Sequence, residues 1–415
     1  MKRELFHGWV VLGAAFVIIT LSIGTLFTLG VFVKPIEDGM GWSRSSIGAV
    51  GLLNWIVMGL GGIVAGYLSD RLGTRAVVLV GGGLLGLGLV LSSQVREIWQ
   101  FYLTFGVMVG GGVSAFYVPL TVLAIKWFEG RRGLAAAIVS AGNGFGILAL
   151  SPLSRWLINQ FDWRIALLLL GNLAWLIVIP SALFLRSAPA VTGLAHLSSA
   201  GAQKWPPHSP GGNSEVAPIF RAWPVWAIGI THFACCAAHS GPIFHMVSHA
   251  IDQGAESMAA ATMLGVSGLS SIFGRIATGL VADRVGTKRT LISMLVLQAV
   301  TISLYLFARD VGALHALGLV FGVAYGGVMP LYALVTREYF GERIMGTAYG
   351  VVFFVSCIGM GLGSYAGGAI HDALGSYQWL FLGSLAVGSM GVLLAMTLRP
   401  PSPALAAAPV PGLAV

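Results

Sequence analysis

The sequence predicts an all-α membrane protein of twelve transmembrane helices, set out as two pseudo-symmetric bundles of six. Three observations predict it. The composition is too apolar for water: of 415 residues, 56% are hydrophobic and 9% charged, and the mean hydropathy is +0.86. A soluble domain carries roughly 25% charge. Apolar runs of about 20 residues, the length that crosses a bilayer, recur along the chain. Two motifs also repeat at almost one offset, which marks an internal duplication. Soluble enzymes are excluded on the first observation alone. The 58 glycines fit membrane helices, where small residues let backbones approach closely. The net charge of +8 comes from basic residues scattered between apolar runs, which is a topology signal and not a nucleic-acid patch.

Taken in order, the first six spans cover 8–33, 46–69, 76–94, 98–125, 133–158 and 164–185. The second six cover 222–250, 259–282, 289–308, 312–336, 345–370 and 376–398. Met1-Lys2-Arg3 before an apolar run has the look of a secretory leader. The run is too long and no small-residue cleavage site follows, so it reads as span 1. Pro206-Pro207 and Ser209-Pro210-Gly211-Gly212 mark a linker at 186–221. The expected organisation is a bundle at 1–185, the linker, a second bundle at 222–399 and a disordered Pro/Ala tail at 400–415. With both termini cytoplasmic, sixteen Lys and Arg fall inside and six outside, which leaves one of the 23 unassigned, Arg275. That bias orients a multi-pass protein of the cell membrane.

The repeat is explicit. Gly66-Tyr-Leu-Ser-Asp70-Arg71-Leu-Gly73 follows span 2, and Gly279-Leu-Val-Ala-Asp283-Arg284-Val-Gly286 follows span 8. Trp127-Phe128 ahead of Arg131 is echoed by Tyr339-Phe340 ahead of Arg343. Parallel repeats of this kind build transporters, with the substrate site at the midplane between halves. Asp70, Arg71, Asp283 and Arg284 therefore read as gating residues at span ends.

The Asp-Arg-x-Gly loops resemble the signature loop of the major facilitator superfamily. Glu37-Asp38-Gly39-Met40-Gly41-Trp42-Ser43 and Trp127-Phe128-Glu129-Gly130-Arg131-Arg132-Gly133 resemble the signature segments of monocarboxylate transporters and their prokaryotic oxalate/formate-antiporter relatives. The resemblance implies that the arginine of span 8, here Arg275, binds the substrate carboxylate. It aligns Tyr117, Asn143 and Tyr325 with the cavity. Animal members place an aspartate where this chain has Ser271, and a lysine near Phe27 or Thr28, so their proton-handling groups are missing here.

The residues themselves point the same way. Arg275 lies deep in span 8, where a charge costs about 2.5–3.5 kcal/mol. Every acid in the chain sits in a loop or at a span end. A guanidinium lacking a fixed carboxylate suits a site whose anion is the substrate, which its planar fork can hold through two parallel hydrogen bonds. Span 7 carries His232, His239, His245 and His249. Pro242 suggests a helix break beside His245, which makes His245 the leading candidate to carry a proton.

Other motifs are structural. Cys235, Cys236 and Cys357 have no metal spacing, and neither metal nor cofactor is expected. Gly81 to Gly86 fits G-x-G-x-x-G but lies inside span 3 without a βαβ unit. Gly62/Gly66, Gly142/Gly146 and Gly359/Gly363/Gly367 read as close helix packing. The expected function is non-enzymatic: secondary active transport of a small monocarboxylate, lactate- or pyruvate-like, by proton symport and alternating access. Anion exchange, or a drug or sugar carrier of the same superfamily, is the alternative. The expected partners are the monocarboxylate anion, the proton and the lipid bilayer, with no nucleic acid and no obligate protein partner.

Overall fold

The computed structural model describes residues 2–128, 132–186, 223–308 and 310–398, with backbone only at 2–6, Asp70, Ile125, 132–134, 136–137 and 341–347. The linker beyond Arg186, the tail at 400–415 and the Asp70 side chain lie outside what is described. Among the described residues the architecture is all helix and follows the twelve expected spans. Nine segments among them are long and apolar enough by themselves to cross a membrane. The other three, spans 5, 7 and 9, are Arg132–Gln160, Trp223–Asp252 and Thr287–Leu304. These carry the serines, asparagine, histidines and glutamine that dilute the apolar signal.

Span 1 is two helices, Lys2–Phe27 and Leu29–Met40. The break falls at Thr28, whose hydroxyl donates to the Thr25 carbonyl at 2.7 Å, while that of Thr25 donates to Leu21 at 2.7 Å. Back-bonding of this kind competes with the helical ladder. The second helix runs through Pro35 to Met40, well past the expected end at 33. Gly41, at φ +68°, stops it. The Ser43 hydroxyl then accepts from the Ser46 amide and caps span 2, Arg44–Leu72. The segment from Glu37 to Ser43 is thus a helix end, a left-handed stop and an N-cap, each fitted to its residue type.

Span 4 is interrupted twice. Residues Tyr102–Val109 form a π-helical turn, and the Asn54 amide donates to the Phe105 carbonyl there at 2.8 Å. Residues 115–116 then leave the helix before Tyr117–Trp127 begins. Pro119 accounts for the second break, since its ring clashes with the carbonyl four residues back, that of Ala115. Pro242 does not break span 7, which is helical throughout Trp223–Asp252. Close packing on both sides holds it: a Cβ at Gly30 of span 1 would lie 2.8 Å from the Phe244 carbonyl oxygen, and one at Gly241 would lie 2.6 Å from the Leu380 side chain of span 12.

The duplicated motif has one geometry in both copies. Gly73 has φ +85° and ψ +145°, and Gly286 has φ +95° and ψ +144°. Each ends its helix by donating to the carbonyl four residues back, Ser69 at 3.0 Å and Ala282 at 2.9 Å. Positive φ at these values is open to glycine and little else.

Spans 10 and 11 were expected as separate helices, yet helical backbone runs unbroken over Val311–Leu374. It cannot be straight. The Tyr332 hydroxyl donates to the Thr231 carbonyl at 3.2 Å, and a Cβ at Gly359 would lie 2.5 Å from the Phe233 carbonyl. A straight helix would hold positions 332 and 359 about 40 Å apart. Both pack on neighbouring residues of span 7, so the chain doubles back between them.

Candidate functional site

Span 8, Ser257–Val285, carries Arg275 and Ser271 one turn apart on one face. Glycine brings its neighbours close. A Cβ at Gly144 of span 5 would sit 2.6 Å from the Gly268 carbonyl and 2.9 Å from the Ser271 hydroxyl. One at Gly326 of span 10 would sit 2.6 Å from the Ser271 Cα. Spans 5, 8 and 10 therefore meet at Ser271, whose own hydroxyl donates to the Gly268 carbonyl at 2.7 Å.

Arg275 is half-buried and reaches across to span 5, where its Nη1 donates to the Ser140 carbonyl at 2.5 Å. Its Nε is buried without a hydrogen-bond partner among the described residues, as are the Asn143 Oδ1 and the Tyr325 hydroxyl. A hydrogen bond from a charged group contributes about 1.5–3 kcal/mol, but leaving a buried polar atom unpaired costs a comparable amount. These three polar atoms stand on spans 8, 5 and 10, the spans that meet at Ser271. No carboxylate is paired with Arg275 among the described residues.

The remaining expected site residues are Tyr117 and His245. Tyr117 of span 4 stacks on Phe353 of span 11, with ring centroids 6.1 Å apart and planes 10° apart. His245 is fully enclosed at the far end of span 7. Its Nε2 lies 2.8 Å from the Ser364 carbonyl and its Nδ1 3.2 Å from the Tyr377 hydroxyl. The carbonyl can only accept, so Nε2 carries the proton and Nδ1 accepts from Tyr377.

Tyr377 belongs to a network that sequence reasoning missed. Arg44, 2% exposed, donates from Nε to Glu37 at 2.9 Å, from Nη2 to Asp252 at 3.0 Å and from Nη1 to Tyr377 at 2.7 Å. His371 lies 3.5 Å from Asp252. Asp372 accepts from the backbone amides of Arg44 at 3.1 Å and Ser45 at 2.7 Å. It caps the orphan donors of span 2 from a distant part of the chain, with the helix dipole favouring its charge. Spans 1 and 2 are thereby tied to spans 7, 11 and 12. The basic and acidic residues at these span ends were visible in sequence, but their pairing across 208 and 328 positions was not.

At the opposite end, three of the expected gating residues, Arg71, Asp283 and Arg284, are exposed. Arg71 lies over the Tyr67 ring at 4.5 Å. Asp283 lines a cavity of about 350 Å³ with Thr287, Arg337 and Glu338, and the Thr287 hydroxyl donates to Glu338. Arg284 is exposed. No group of three or more His, Cys, Asp or Glu side chains able to hold a metal occurs among the described residues.

Comparison with known proteins agrees with the architecture. The profile of the Major Facilitator Superfamily matches residues 15–364 and 277–412. Bovine (Bos taurus) "Monocarboxylate transporter 13" is 28% identical over 397 residues, spanning 94% of this chain and 89% of that one. Mouse (Mus musculus) "Monocarboxylate transporter 11" is 30% identical over 386 residues, spanning 90% and 83%. The fold matches a crystal structure of the nucleoside transporter NupG with a TM-score of 0.74, at 14% identity over 94% of this chain and 99% of that one. It also matches a bacterial homologue of the lysosomal transporter Spinster, inward-facing and occupied, with a TM-score of 0.73 at 15% identity over 93% and 95%. Twelve helices, a duplicated glycine-stopped loop and this breadth of match together make the chain a membrane carrier of the major facilitator superfamily, in its monocarboxylate-transporter family.

Proposed function

We propose that the protein is a secondary active transporter of small monocarboxylate anions, lactate- or pyruvate-like, that works by alternating access with one proton per anion. The observation that carries this reading is the half-buried Arg275 guanidinium, whose Nε lacks a partner and whose surroundings hold no carboxylate among the described residues. The names of the relatives point to the same substrate class. A cation carrier would need a free buried acid, and the acids described here are committed to Arg44, to Lys34 or to span ends. A sugar carrier would need polar walls, and these spans are too apolar. Monoanions should be preferred, because a second carboxylate would be desolvated without a partner.

In this reading the bundles at 1–185 and 222–399 rock about the Arg275 site. The Arg44 end is the outer gate, here shut, and the Asp-Arg-x-Gly loops with Asp70, Arg71, Asp283 and Arg284 gate the cytoplasmic side, where the termini lie. A carboxylate is ionised at neutral pH. Its entry into a negative-inside cell is opposed by about 2.3 kcal/mol per 100 mV, which one accompanying proton cancels.

The test is uptake into proteoliposomes of labelled formate, lactate, pyruvate, oxalate and succinate, with and without a pH gradient. Lactate or pyruvate should accumulate as outside pH falls, with little response to membrane potential. Uptake that ignored the gradient and required a preloaded internal carboxylate would replace symport by anion exchange. Preference for oxalate or succinate would overturn the single-cation site.

A further inference from the structure

We propose that His239 of span 7 takes up the coupled proton, a role that rests on the carrier reading above. Its Nδ1 lies 2.8 Å from the Cys235 carbonyl oxygen. That oxygen can only accept, so Nδ1 carries the hydrogen and the neutral ring presents a lone pair on Nε2. Nε2 has no hydrogen-bond partner among the described residues. The ring lies against Tyr325 of span 10, with centroids 5.6 Å apart, and Tyr325 has the unpartnered hydroxyl described above.

The other histidines of the span are differently placed. His245 has both nitrogens engaged, and its acceptor is used by Tyr377. The Nε2 of His249 lies 3.0 Å from the Gln253 amide nitrogen. His232 stacks on Tyr332 at 3.8 Å and has no partner on either nitrogen, so charging it would leave two buried N–H groups unsatisfied. His239 alone among the four combines an anchored N–H with a free lone pair.

Its setting explains why proton and anion would travel together. Around it stand Cys235, Cys236 and His232 of its own span, the neutral Gln298 of span 9, and Tyr325 and Tyr332 of span 10. Spans 11 and 12 meet this stretch through Gly363 and Gly388. Tyr325 adjoins Gly326, where a Cβ would lie 2.6 Å from the Cα of Ser271, one turn from Arg275 on span 8. None of these is a carboxylate. An imidazolium at His239 would therefore add a second positive charge beside that of Arg275 in this bundle, with no carboxylate among the neighbours named here to offset it until substrate arrives. Nε2 takes a proton from water while Arg275 holds the carboxylate, and the proton returns to water after the anion leaves; the two charges offset each other without direct contact. Each ligand strengthens the other's binding, which is coupling by linkage. The acid missing at Ser271 is replaced from a different span.

The experiment uses the full chain in proteoliposomes and labelled lactate, with a pH-sensitive dye in the lumen. H239Q removes the titratable group. H239N also removes it but keeps an amide donor near the Nδ1 position, so it decides the matter if H239Q fails to fold. Gradient-driven accumulation and lactate-linked acidification should fall roughly 10- to 100-fold, the range of a coupling free energy of this kind. Lactate–lactate exchange without a gradient should stay near wild type. A folded variant that accumulates lactate and acidifies the lumen like wild type overturns the proposal. So does one that loses exchange as completely as accumulation, because His239 would then be a substrate ligand. Wild-type protein that moves no carboxylate in either mode would instead sink the carrier reading beneath it.

Discussion

Arg44 and Arg275 each link the first six spans to the last six, and they are held in opposite ways. Arg44 has Glu37, Asp252 and the Tyr377 hydroxyl around its guanidinium. Arg275 has a backbone carbonyl, the marginal Ser140 hydroxyl at 3.5 Å, and an unpaired Nε. The packing around each follows the same contrast. At the Arg44 end, a Cβ at Gly48 would lie 2.7 Å from the Ser364 carbonyl, and one at Gly368 would collide with the Arg44 backbone. Nearer the Arg71 end, a Cβ at Gly62 or Gly66 would meet only Val118 within 4.0 Å among the described residues, and one at Gly279 would meet nothing that close among them. Among the described residues Gly62 and Gly66 thus make only ordinary contact with span 4, whereas Gly142, Gly146, Gly359 and Gly363 lie close against neighbouring helices. A charge neutralised within the protein acts as a latch. A charge left open is available to a ligand.

The largest expected effect follows from the open charge. Arg275→Ala should remove a contact of the desolvated type, worth about 2–5 kcal/mol or roughly 30- to several-thousand-fold in affinity. Saturable uptake should vanish while the thermal transition stays put or rises. Arg275→Lys should fail nearly as badly, since a point charge lacks the planar fork; normal transport by that variant would refute the bidentate site.

Asp252→Asn breaks the latch and should cost about 1–3 kcal/mol. This is less than the 3–5 typical of a fully buried pair, because both acids are partly exposed. A lowered thermal transition should accompany faster labelling of a cysteine placed at Ser45 by an impermeant maleimide. Gly368→Ala should act similarly by over-packing, at about 1–3 kcal/mol. If either variant left labelling unchanged, the network would be a structural clasp and not a gate.

Asp283→Asn should slow transport a few-fold with near-normal lactate affinity, since it would bias a conformational equilibrium without touching substrate. Loss of affinity on the scale of Arg275→Ala would move Asp283 to the substrate. The smallest effect belongs to Gly62→Ala, in open space beside Val118. It should stabilise by about 0.5–1 kcal/mol through helix propensity, read as a slight rise in the thermal transition. Marked destabilisation would mean that the Arg71 end closes on Gly62 in another state.

The sequence by itself determined what depends on one segment at a time. Hydropathy located the twelve spans, with span 2 expected at 46–69 and found at Arg44–Leu72. The repeated Asp-Arg-x-Gly marked two equivalent span ends, and the structure shows glycine at positive φ closing both. Arg275 stood out because a charge in an apolar run is costly wherever the helix packs. Tertiary structure decided everything that needed two segments. It placed His245 with Tyr377 and the Arg44 latch, and set His239 against Tyr325. It kept span 7 helical through Pro242 by packing, and folded spans 10 and 11 back as one helical stretch. Arg44 could be counted from sequence as a loop charge, but its partners lie 208 and 333 positions away. Burial and charge are properties of a residue and its near neighbours, while pairing across a bundle depends on which helices the fold brings together.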